Sequence, residues 1–227
     1  VTLPSGLKSI PINAFISCSS LTEIEIPDSV TEIGDYAFQY CGSLTEVTGG
    51  RQLKKIGYEA FQYCRKLESI TLSSTIKEFS SYIFDECDRL KTAGPSSGDY
   101  NIKIGFTGNI PDMPFANSEL ENVVLPEGLT ELNTSAFGGC TKLKQVTLPP
   151  GLKSISSRAF QSCSSLTEIE IPDSVEEIGD SAFQNCGSLT EVTGGRRLKK
   201  IGYEAFEYCR KLESITLSST IKEFSSY

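Results

Sequence analysis

From residue 21 onward, apolar residues return in one fixed order. Leucine opens each unit, isoleucine or valine fills places 4 and 6, valine place 10, isoleucine place 13, Ala-Phe places 17 and 18 and cysteine place 21. LTEIEIPDSVTEIGDYAFQYCGS (21–43) is a complete unit, and LTEIEIPDSVEEIGDSAFQNCGS (166–188) restates it. Units begin at Leu21, Leu44, Leu67, Leu90, Leu120, Leu143, Leu166, Leu189 and Leu212; the complete ones are 23 residues long, except for the 30 residues of 90–119. Alternation at places 3–6, as in Glu23-Ile24-Glu25-Ile26, has the two-residue period of a strand. Proline at place 7 (Pro27, Pro126, Pro149, Pro172) has no N–H to give and ends that strand. Glycine at place 14 (Gly34, Gly57, Gly179, Gly202) permits a turn into A-F-x-x-C, a stretch with room for one helical or 3-10 turn.

The pattern therefore predicts an α/β repeat, with one short parallel strand and one short helical or 3-10 turn per 23-residue coil. One such coil has too few apolar residues to offset the entropy of ordering its backbone, so coils must stack into a solenoid. The expectation is a single solenoid over 1–227 of about ten coils, counting the partial units at both ends, irregular at 90–119 and continuing beyond 227. A longer period lies over the short one, because residues 146–227 match 1–82 with ten differences.

Eight cysteines, seven of them at place 21 of their units and Cys18 at the matching place of the partial first unit, could be a disulfide framework or a ladder of thiols. Parallel Cβ directions on successive coils aim the sulfurs poorly at one another, which favours small buried thiols beside the phenylalanines. Histidine is absent and no C-x-x-C occurs, so zinc sites, Ser-His-Asp and Cys-His chemistry have no support. The net charge of −8 argues against nucleic acid and anionic membrane as partners. No apolar run reaches the length of a membrane span, and no signal segment is visible at the start.

The phrases IGDYAFQYCGSLTEV, IGYEAFQYCRKLESI and IGDSAFQNCGSLTEV, preceded by IPDSV, resemble the BspA-like (Treponema pallidum type) leucine-rich-repeat family over nearly the whole chain. The resemblance implies a leucine-rich-repeat solenoid in a cell-surface or secreted protein, without enzymatic activity or cofactor, used for adhesion or protein binding. The unit at 90–119 departs from the family pattern and lacks its cysteine.

In such a solenoid, places 2, 3 and 5 point outward from the sheet, where nine glutamates face two lysines. Glu23, Glu25, Glu46, Thr48 and Glu68, then Glu168, Glu170 and Glu191, are the candidate contacts for a basic segment of a protein partner. The alternative is a face made polar only for solubility. A flat exposed sheet gives Glu23 and Glu25 little reason to act as a general acid–base pair or to hold a cation. Tyr40 and Tyr63, at one place of adjacent units, are candidate aromatic anchors, although Tyr36 and Tyr40 become Ser181 and Asn185 in the second copy. Gly49 and Gly194 occupy a place where an inward isoleucine belongs, which predicts a bulged strand. Beside them, Arg51, Lys54, Lys55, Arg196, Arg197, Lys199 and Lys200 form either an anion or glycan contact or a solvated edge. The Gly-, Pro- and Ser-rich stretch 93–115, with Tyr100 and Phe106, predicts an excursion from the solenoid that either carries specificity or is a harmless insertion; the spacing of Ile110 and Phe115 marks where the coil resumes. Two readings stand: a protein-binding or adhesion module, or a spacer that displays another domain and binds nothing.

Overall fold

The computed structural model describes residues 1–71, 76, 78–93, 102–103, 114–125, 128–216 and 219–224. They form a parallel solenoid of about 8 turns, which are the complete units; the partial units at the two ends make up the larger count from sequence. Each regular coil contributes strand residues at places 3–6, such as Glu23–Ile26 and Glu46–Gly49. These strands pair in parallel, with Ile24 beside Val47 and Val47 beside Ile70. A second parallel ladder runs along places 12 and 13, through Ser9–Ile10, Glu32–Ile33, Lys55–Ile56 and Glu78–Phe79. It continues in the second half through Glu131–Leu132, Ser154–Ile155, Glu177–Ile178 and Lys200–Ile201. Two alternating residues are too short a run to read as a strand from sequence, so this ladder appears only once coils are stacked.

Among the described residues the expected helical or 3-10 turn is absent: places 14–21 fold as consecutive turns. Hydrogen bonding shows why. The N–H groups of Ala37, Gln39 and Cys41 bond three residues back, to Gly34, Tyr36 and Phe38, at 3.3, 3.1 and 3.2 Å. Those of the alternate residues Tyr36, Phe38 and Tyr40 instead bond the next coil, at Tyr58, Ala60 and Gln62, at 2.9, 2.8 and 3.0 Å. A helix turns every N–H along its own axis, whereas here every second one joins neighbouring coils. Places 16 and 20 hold left-handed backbone, as at Tyr36 (φ 58°), Tyr40 (φ 61°), Ser181 (φ 54°) and Asn185 (φ 61°). Single left-handed residues at this spacing break any helix.

Gly34 and its equivalents answer to neighbouring backbone rather than to turn geometry. A Cβ on Gly34 would lie 2.7 Å from the Ile12 nitrogen and 2.9 Å from the Pro11 carbonyl carbon. Gly49 and Gly194 stay in register, paired with Ile26 and Ile171, so the expected bulge is not formed. Their φ values of +80° and +84° account for the glycines there.

The core is a single column. Phe15, Phe38, Phe61, Phe84, Phe115, Phe137, Phe160, Phe183 and Phe206 stack face to face at centroid distances of 5.0–5.6 Å. Phe115 carries the column through the irregular unit, as the spacing predicts, and Phe79 packs against it at 5.8 Å. Within the stretch 93–115, Ile102–Lys103 lies in the sheet, paired with Ala93 on one side and with Val123–Val124 on the other. Ile102–Lys103 therefore forms an extra rung of the strand ladder, and residues 94–101 and 104–113 lie outside the described residues. Ile110, Tyr100 and Phe106 lie outside the described residues.

All eight cysteines are free, and the seven from Cys41 to Cys209 each donate their thiol to the phenylalanine carbonyl of the preceding coil, as in Cys41 to Phe15 at 3.1 Å and Cys163 to Phe137 at 3.2 Å. Where the irregular unit lacks a cysteine, buried Ser118 fills the place, 3.3 Å from the Cys140 sulfur. Burial pushes the Cys140 thiol up to about 11 and raises those of Cys64, Cys87 and Cys163 as well. At pH 8 without denaturant, a thiol reagent is therefore expected to label exposed Cys18 at once and half-buried Cys209 more slowly. Rapid labelling of more than these two would contradict the buried ladder.

Candidate functional site

The coil offers two strand faces to solvent, and they differ in how their charges are matched. On the second ladder, place 12 reads Ser9, Glu32, Lys55, Glu78 along the first half and Ser154, Glu177, Lys200, Glu223 along the second. Signs alternate from rung to rung, and ion pairs form: Lys55–Glu32 at 3.1 Å, Lys200–Glu177 at 2.7 Å and, at place 11, Lys199–Glu176 at 2.7 Å. The bond and charge of Glu32 raise the Lys55 ammonium above its ordinary range, and Lys199 lowers the Glu176 carboxyl. Away from this ladder, at place 8, Arg196 makes a looser pair with Asp173 at 3.8 Å. Much of the basic cluster seen in the sequence is therefore engaged with carboxylates one coil back. Such exposed pairs are screened by solvent and add little to stability, but together they leave this face near neutral.

The first strand face does the opposite. Glu23 sits directly across from Glu46, and Glu168 directly across from Glu191. Like charges opposite one another in a sheet are destabilising. Glu25 and Glu170 follow on the same rows, beside Thr48 and Thr193. All six glutamates are exposed, and among the described residues none of the six forms an ion pair; Glu46 accepts only a hydrogen bond from Ser69 Oγ at 3.2 Å. Glu68 differs from them, since Lys91 reaches it at 3.2 Å, and Lys144 likewise meets Glu121 at 2.8 Å and lowers its carboxyl. The candidate set thus resolves into two like triads, Glu23/Glu25/Glu46 and Glu168/Glu170/Glu191, with Thr48 and Thr193 between them. None of the ten differences between the two copies falls at places 2, 3 or 5 of these units.

Tyr40 and Tyr63 lie on the turn column, not among the glutamates. Their rings stack at 4.9 Å, and the Arg65 guanidinium lies 5.6 Å from the Tyr63 ring. Tyr36, Tyr58 and Tyr82 meet edge to face nearby, and hydrogen bonding to Glu59 pushes the Tyr58 hydroxyl up to about 12. Because place 20 is left-handed, asparagine suits it better than tyrosine does, which accounts for Asn185 in the second copy.

One arrangement on the turn column is invisible to the sequence reading. Gln39 Nε2 donates to Gln62 Oε1 at 2.7 Å, and Gln62 Nε2 donates to Asp85 at 2.8 Å. Gln161, Gln184 and Glu207 repeat this amide run. Its only signal is the glutamine after A-F, which looks like any surface residue until coils are superposed. No group of three or more metal-ligating side chains forms among the described residues. Nor is any helix among them long and apolar enough to cross a membrane.

Known proteins agree with this architecture. The family model for the BspA type leucine rich repeat region matches residues 1–103 and 108–227 in six copies. A solved Treponema pallidum leucine-rich repeat protein is 28% identical, covers 74% of this chain and 78% of its own, and superposes with a TM-score of 0.63. The pneumococcal vaccine antigen PcpA is 26% identical over 97% of this chain and 61% of its own, with a TM-score of 0.54. A leucine-rich cell surface protein of Faecalibacterium prausnitzii shares the fold at 21% identity and a TM-score of 0.50, over 99% of this chain and 87% of its own. No curated protein matches the chain. With the repeat, the stacked phenylalanine column and the family model in agreement, the chain belongs to the BspA-type leucine-rich-repeat family.

Proposed function

We propose that this chain is a non-catalytic protein-binding module of a surface-exposed or secreted protein, and that its first strand face engages a basic segment of a protein partner. One observation carries the reading. The same coils neutralise their second ladder with ion pairs, yet leave two triads of glutamates unmatched on the first, at a cost to the sheet. A face that had only to remain soluble could have alternated its charges as the second ladder does. An unmatched acidic strip attracts basic partners and speeds their encounter. The Faecalibacterium cell surface protein and the pneumococcal antigen support a surface setting.

The test is titration with a lysine-rich polypeptide, comparing charge reversal on each face. Changing Glu23, Glu25, Glu46, Glu168, Glu170 and Glu191 to lysine is expected to weaken binding at least about a hundredfold and to flatten its salt dependence. Changing Glu32 and Glu177 to lysine is expected to leave affinity within about threefold. Equal losses from both sets, or no binding by the unaltered chain, would leave the spacer reading in place.

A further inference from the structure

The first strand ladder is continuous from Glu23–Ile26 through to Gln145–Thr147. It stops there, and a separate sheet begins at Glu168–Ile171. Where the ladder is closed, the Thr45 and Val47 carbonyls accept the N–H groups of Glu68 and Thr71, both at 2.9 Å. Thr190 and Val192 do the same for Glu213 and Thr216, at 2.9 and 3.0 Å. At the next step the Lys144 carbonyl receives no such bond from Thr167 or Glu168, and Gln145–Thr147 and Glu168–Ile171 are not paired, although all these residues are among those described. Elsewhere the same two coils remain joined, with Ile155 beside Ile178 and with Phe160 and Phe183 stacked at 5.4 Å. The coils therefore part on the acidic face alone.

A depression of about 1010 Å³ lies over this junction, running from Gln145–Leu148 across Glu168–Ser174 and on over the closed ladder to Glu191 and Thr216. Val146 is half-buried in it, whereas its counterparts Val47, Val123 and Val192 are buried. Glu168, Glu170, Asp173 and Glu191 surround the opening, and the Arg196 guanidinium on its rim lies 3.8 Å from Asp173. A smaller depression of about 700 Å³ lies at the matching place of the first copy, lined by Glu25, Asp28, Thr48, Gly49, Arg51 and Thr71.

We infer that the opening between Gln145–Thr147 and Glu168–Ile171 is an edge-pairing site for an extended basic segment of a protein partner. The inference rests on the proposed reading of the acidic face and names the subsite that gives it specificity. Unpaired strand edges offer the alternating donors and acceptors that an extended peptide matches with its own backbone. Side chains of such a peptide alternate sides, so lysine or arginine at every second residue would meet Glu168, Glu170 and Glu191. Strands pack about 4.8 Å apart, so entry widens the opening while the Phe160–Phe183 contact stays closed.

The intact chain is titrated, by fluorescence anisotropy, with a labelled peptide of about nine alternating lysines and valines. A second peptide carries N-methyl groups on alternate backbone nitrogens and keeps every charge. The site predicts binding of the first and a loss of about tenfold or more for the second, since two or more hydrogen bonds disappear. Glu168→Gln combined with Glu170→Gln should cost about tenfold, while Glu32→Gln on the second ladder should stay within about twofold. Equal affinity for the two peptides would overturn the edge-pairing site yet leave charge recognition by the face intact. Failure of the unmodified peptide to bind, while a lysine-rich polypeptide still does, would overturn the site alone; failure of both would overturn the site and the reading beneath it.

Discussion

Phe115→Ala is expected to lower stability by about 3–5 kcal/mol, the range for deleting a fully buried aromatic side chain. Phe115 is wholly buried, stacked between Phe84 at 5.6 Å and Phe137 at 5.4 Å, and it also touches Phe79. It is the rung through which the irregular unit joins the two halves of the column. In a repeat array each coil draws its stability from its neighbours, so a break at this rung weakens the coupling between the halves as well as the local packing. Denaturation should then split into two resolved transitions, read by calorimetry or urea unfolding. Phe15→Ala, at a partly buried end of the column, should cost about half as much and leave a single transition. One cooperative transition in the Phe115 variant, with little lost stability, would mean that the halves are coupled by something other than the ring stack.

Gly57→Ala should be almost as damaging, despite adding one methyl group. Its Cβ would come within 2.5 Å of the Asp35 nitrogen and 2.6 Å of the Gly34 carbonyl carbon. Backbone cannot swing aside as a side chain can, so coils must separate at that point, at a cost of about 2–4 kcal/mol. Gly42→Ala is the control, because nothing lies within 4 Å of its added Cβ. There the smaller entropy of the unfolded chain makes alanine neutral or slightly stabilising, by up to about 1 kcal/mol. Urea midpoints for the two variants give the comparison, and equal midpoints would contradict the close approach of coils at place 14.

Much of this architecture is written in the order of apolar residues. The phenylalanine column, the first strand and the re-entry at Phe115 follow from spacing alone, because inward places must repeat wherever coils stack. The shape of places 14–21 does not, since A-F-x-x-C is compatible with a helix. What decides against a helix is that Phe38 and Tyr40 give their N–H groups to the next coil, a partner no single unit reveals. The role of cysteine was half visible. Burial beside phenylalanine could be read from the sequence, but the thiol's bond to the preceding phenylalanine carbonyl requires the stack. Place 14 is a similar case, because the glycine is legible while its reason lies in the coil beside it.

The candidate site was legible as composition and not as contrast. Counting outward glutamates finds Glu23, Glu25, Glu46, Glu168, Glu170 and Glu191, but the same count includes Glu68, which Lys91 neutralises. Which carboxylates are matched depends on cross-coil register, and register follows from stacking rather than from local pattern. The parting beside Val146 leaves no mark in its own unit, whose strand reads like its neighbours.

Tryptophan is absent from the chain, so a single introduced one reports contact without background. Thr48→Trp and Thr193→Trp place it between the glutamates of each triad, and Thr31→Trp places it beside the neutral second ladder. With a lysine-rich polypeptide added, emission from the first two should shift and saturate with the binding curve, while the third stays constant. A shift at Thr31→Trp with none at Thr48→Trp and Thr193→Trp would place the partner on the wrong face.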